Sequence, residues 1–139
     1  MHNRVPALPT GSDAHLAAAA WACEMTALEA AAEAMTEPPL WRDFDALLRD
    51  LERGLADIAA HLAIEAPAER LRAVATGPLT RRYSKALEYE YSAGLREELL
   101  AQAGRGHAAD IADALAMLEK AARESPLLER ALARASSEN

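Results

Sequence analysis

The sequence predicts an all-α protein: an antiparallel bundle of four long helices with one or two short extra helices. Apolar residues recur by threes and fours along most of the chain and nowhere alternate as in a strand. About a quarter of the 139 residues are alanine, valines number two, and aromatics are scarce. Leucines meeting small residues suit close helix–helix packing. Proline and glycine then divide the chain into pieces of helical length.

Residues 1–11 contain Pro6, Pro9 and Gly11 without periodicity and read as a flexible N-terminal arm. Ser12 or Asp13 can cap a first helix running to about Thr36. Glu37-Pro38-Pro39 ends it and starts the next, since proline is tolerated in a first turn. The second helix, 39–65, carries a heptad seam of Phe44, Leu48, Leu51, Leu55, Ile58 and Leu62. Unbroken, it spans roughly 40 Å, and Pro67 ends it.

Ala68–Ala75 makes a short helix with Leu71 and Val74 facing inward, closed by Thr76-Gly77-Pro78. A third long helix is expected from about Thr80 to Ala103, then a tight turn at Gly104-Arg105-Gly106. A fourth covers His107–Glu124 with Ile111, Leu115, Leu118 and Ala122 on one stripe. Ser125-Pro126 caps a last short helix, Leu127–Ala135, and residues 136–139 fray. Residues 12–135 thus read as a single helical domain.

Charge limits the function classes. A net charge of −7 argues against nucleic-acid binding, which needs many phosphate-neutralising cations, and is compatible with a basic partner. Thirteen arginines against two lysines fit a GC-rich, bacterial genome. The lone cysteine, Cys23, permits no internal disulfide and fits a reducing, cytoplasmic location. Residues 1–23 mimic a signal peptide superficially. However, Ser12 and Asp13 precede a short, weakly apolar run and Glu24 follows it, so no leader is expected. No stretch approaches the ~20 apolar residues of a membrane span.

Several residue groups are candidates for chemistry. Asp57, His61 and Glu65, each four residues apart, stack three possible metal ligands in one helical column. They point roughly 140°, 100° and 60° from the seam's mean direction, which favours a solvated helix edge over a metal site. There is no Glu-x-x-His, His-Glu-x-x-His or Cys–His cluster, and no cofactor is expected. Glu24 and Glu90 are anomalous carboxylates, each flanked by apolar residues on its own helix face. Either the glutamate snorkels from the rim of its arc, or the face meets a partner, or the pair handles protons or metal inside a bundle. His107 starts a helix just after the glycine turn, where capping or turn packing is expected and no nucleophile signature accompanies it.

The segment Leu79–Glu98 holds all three tyrosines. Tyr83 and Tyr91 flank Leu87, and Tyr89 points roughly 160° away. Exposed tyrosine is typical of binding hot spots. The net −7 comprises +5 from Arg70, Arg72, Arg81, Arg82 and Lys85 and −12 from all other residues. Arg81 and Arg82 in a first helical turn oppose the macrodipole and call for an acidic helix, an acidic partner or an anion.

These features read together as a small acidic, non-catalytic protein-binding module: an adaptor, a regulator or a dedicated chaperone. Its partner is another protein, acidic where it meets Arg81, Arg82, Tyr83, Lys85, Tyr89 and Tyr91. Neither nucleic acid nor membrane is expected as a partner. Small export chaperones of flagellar and related secretion systems are similar in size, acidity and helical class, though no motif places the chain among them. Two alternatives remain. One is a metal-binding or enzymatic bundle using buried carboxylates with His61 or His107. The other is a structural homo-oligomer, a homodimer through the second-helix seam.

Overall fold

The computed structural model describes residues 7–9, 11–81 and 92–137. All secondary structure among them is helical. The α-helices are α1 (Asp13–Ala34), α2 (Phe44–Arg49), α3 (Leu51–His61), α4 (Ala68–Ala75), α5 (Ala93–Gly106), α6 (Ala108–Ala122) and α7 (Pro126–Ser137), with a 3-10 turn at Pro78–Arg81. The chain divides into two compact units. The first comprises residues 1–39 and 103–139, and the second, residues 40–102, is inserted between its halves. The boundary falls within α5.

In the first unit α1, α6 and α7 pack against one another. Ser12 starts α1 in extended conformation, its Oγ accepting from the His15 backbone N–H at 3.2 Å. Ser125 does the same for α7, accepting from Leu128 N–H at 3.4 Å, with Pro126 as first helical residue. Arg134 pairs with Glu29 and Arg130 with Glu33, so α7 runs antiparallel to α1. A short connection joins α6 to α7, and His15 near the start of α1 meets Asp113 near the start of α6. The core is Ala22, Leu118, Ala121, Ala122 and Leu128, with Trp21, Met117 and Leu132 packed on it. Alanine on both α1 and α6 lets the two backbones approach closely.

The second unit departs from the expected long helix 39–65. Its seam is cut at Asp50, whose φ/ψ of −140°/72° is not helical. Asp43 and Asp50 each accept from a backbone N–H three residues on, at Ala46 and Arg53. Each aspartate starts a new helix where the heptad pattern alone suggests continuity. Buried Gly54 faces the Leu47 side chain, with no room for a Cβ unless Leu47 shifts. The helix also ends before Pro67, at His61. Ala63 takes φ 53°, its N–H bonds Ala60 O at 3.1 Å, and Ile64 N–H bonds Ala59 O at 2.8 Å. That is a Schellman closure with alanine where glycine is usual.

Two further expectations are corrected. Gly104-Arg105-Gly106 is no tight turn: it is the last part of α5, and neither glycine has positive φ. The short helix at 68–75 forms as expected, but Val74 is exposed. α3 packs on α2 and α4, and ion pairs Arg42–Asp57, Arg72–Glu52 and Arg96–Asp45 decorate the second unit. No helix among the described residues is long and apolar enough to cross a membrane.

Candidate functional site

The α6 stripe Ile111, Leu115, Leu118, Ala122 forms, but only its second half is covered. Leu118 and Ala122 are buried, whereas Ile111 is 38% and Leu115 51% exposed. Around them the first unit opens into an apolar groove of about 540 Å³. Ala14, Ala17, Ala18 and Trp21 of α1 form one wall, Ile111, Ala114, Leu115 and Leu118 of α6 another, and Leu132 and Ala135 of α7 the third. Among the described residues, no charged side chain lines it. The groove exists because alanines occupy helix positions that leucines would otherwise fill.

The far half of α1 is held differently. Glu29 is only 3% exposed. Arg134 Nε donates to its Oε1 at 2.8 Å, and Arg130 Nε lies 3.6 Å from its Oε2. Arg130 also pairs with Glu33. Carboxylates near a helix C-terminus oppose the macrodipole, and two arginines from α7 offset that. Thr26, also buried, donates to Ala22 O at 2.7 Å and so needs no outside partner. This end of the unit is a polar clasp beside a closed core, while the other end is the apolar groove.

Ser12, His15 and Asp113 also meet. Ser12 Oγ lies 2.9 Å from His15 Nδ1, and His15 Nε2 lies 3.2 Å from Asp113 Oδ2. An open hollow of about 660 Å³ adjoins them, lined by Leu8, Pro9, His15, Asp113, Met117 and Lys120 among others. Ser12 does not line that hollow, and its Oγ is engaged as the α1 cap. The contacts join α1 to α6 and fix the start of α1.

Residues singled out from the sequence are placed as follows. Glu24 is exposed. Asp57 pairs with Arg42, His61 is the exposed last residue of α3, and exposed Glu65 lies past the helix end, so no column of three forms. No group of three metal-ligating side chains occurs among the described residues. Exposed His107 precedes α6 without a side-chain cap bond, 3.9 Å from Asp110. Arg82, Tyr83, Lys85, Tyr89, Glu90 and Tyr91 lie outside the described residues, and Arg81 is described only as the backbone end of the 3-10 turn. Of the other cations in that basic segment, Arg72 makes a two-pronged bond to Glu52, 3.1 Å on each arm. That hydrogen bond and the carboxylate's charge raise the guanidinium's proton affinity.

The second unit exposes apolar side chains of its own: Phe44, Leu62, Ile64, Val74, Leu95, Leu99 and Leu100. Arg96 lies over the Phe44 ring, 5.1 Å from its centroid. The seam residues between, Leu48, Leu51, Leu55 and Ile58, are half-buried.

The chain matches no known family model, no curated protein and no solved structure.

Proposed function

We propose that this protein is a small, acidic, non-catalytic binding module, an adaptor, regulator or dedicated chaperone, that takes a helix of a partner protein into the groove between α1, α6 and α7. The groove carries this reading: a charge-free apolar trough in which Ile111 and Leu115 stand exposed on a well-packed helix. Apolar grooves between helices are the usual receptors for amphipathic helices, and large exposed apolar patches mark interaction sites. The trough spans eight residues of α1, from Ala14 to Trp21, a rise of about 10 Å or two helical turns. A partner helix seated there adds a fourth helix to α1, α6 and α7. A cytoplasmic location accompanies this reading.

The test is capture of partners from source-cell extract by three forms of the protein: parent, Leu115→Asp and Arg81→Glu/Arg82→Glu. A partner retained by the double arginine variant and lost by Leu115→Asp, at unchanged helicity and Tm, supports the groove. Loss with the arginine variant alone moves the site to the Tyr/Arg segment. Undiminished capture by Leu115→Asp refutes the groove reading.

A second reading, a homo-oligomer built on the second unit, draws on one observation. Phe44, Leu62, Ile64 and Val74 are all more than half exposed. A monomer by light scattering at micromolar concentration removes it.

A further inference from the structure

We infer that the helix received by the groove is basic: an amphipathic segment with two or three large apolar anchors at helical spacing and lysines or arginines along its flanks. The inference rests on the proposed groove and adds the chemistry of its occupant.

Charge on the three helices around the groove carries it. α1 holds Asp13, Glu24, Glu29 and Glu33 and not one lysine or arginine. α6 holds Asp110, Asp113 and Glu119 against Lys120, and α7 holds Glu129 against Arg130 and Arg134. Both α7 arginines already engage Glu29 and Glu33 at the far end of α1. Asp113 meets His15 at 3.2 Å, which leaves Asp13, Glu24, Asp110, Glu119 and Glu129, all exposed, against Lys120 on α6 and Arg123 just past its end. By helical angle, Asp13 and Glu24 fall roughly 90° and 70° to one side of the Ala14–Trp21 wall. Glu119 falls roughly 90° from the middle of the Ile111–Leu118 wall. These carboxylates therefore border the apolar strip on both helices. A trough without charge inside acidic borders selects an occupant that is apolar at its centre and cationic at its edges. An acidic amphipathic helix would meet like charge along both walls.

The walls also set the anchors. Five of the ten lining residues are alanine, so the floor lacks bulk and the occupant must supply it. Leucine, isoleucine or phenylalanine at i, i+4 and i+7 fits a trough of this length.

The experiment uses the full chain and an 18-residue peptide of leucine, alanine and lysine in amphipathic helical order. A control peptide has every lysine replaced by glutamate. Trp21 lines the groove and reports binding by fluorescence in a Trp41→Phe variant, and calorimetry on the parent chain reads the same event without substitution. The expected result is binding of the lysine peptide about tenfold or more tighter than the glutamate peptide. Its affinity should fall with added salt and be lost in Leu115→Asp. Equal affinity for the two peptides overturns the basic occupant while leaving the groove intact. Lysine-peptide binding that survives Leu115→Asp unchanged reduces the effect to general surface charge and overturns the inference. Binding of neither peptide overturns the groove as well.

Discussion

Arg134→Met tests how the first unit is held together. Glu29 is 3% exposed and has two cationic neighbours, the nearer being Arg134 Nε at 2.8 Å. A hydrogen bond to a charged group contributes about 1.5–3 kcal/mol net. Breaking a fully buried ion pair costs about 3–5 kcal/mol. The lower range applies, because the Arg134 side chain is 34% exposed and Arg130 remains 3.6 Å from the carboxylate. Methionine keeps the apolar stem and removes the charge. The expected loss is therefore about 2 kcal/mol in urea denaturation. Glu29→Met/Arg134→Met removes both the orphaned charge and its partner, and should return to within about 1 kcal/mol of the parent. A single variant indistinguishable from the parent, or a double variant worse than the single, would refute the view of Glu29 as a buried charge that needs its arginines.

Two local predictions concern helix ends. Ser12→Ala removes the α1 cap and the Oγ beside His15 Nδ1. It should cost about 1 kcal/mol and speed amide exchange in the first turn of α1. Ala63→Gly relieves a left-handed alanine at φ 53° and should stabilise the chain by roughly 1 kcal/mol in the same denaturation assay.

Helix existence was largely legible in the sequence, because caps are local. Ser12 and Ser125-Pro126 mark the starts of α1 and α7 by a hydroxyl and a ring in fixed positions. The split of the second helix had a local signal too, Asp43 and Asp50 at cap positions. The heptad run across them was the stronger pattern, and nothing in it reveals that Gly54 packs against Leu47. Sidedness was not legible in α1. Its many alanines make nearly every face apolar, so the periodicity does not choose a direction. Glu24 sits among apolar neighbours in the sequence and is exposed in the structure. Glu29 is buried because two arginines about a hundred residues later lie against it. The groove was hidden for a related reason. A stripe such as Ile111, Leu115, Leu118, Ala122 states which face is apolar, and only the neighbouring helices decide how much of it is covered.

We propose the exposed first half of that stripe as a receptor for another protein's helix. A photo-crosslinking amino acid at position 115, activated in the source cells and mapped by mass spectrometry, tests it most directly. Adducts confined to one amphipathic, lysine- or arginine-flanked helix of a second protein are expected. Adducts to this chain alone, or none, would contradict it.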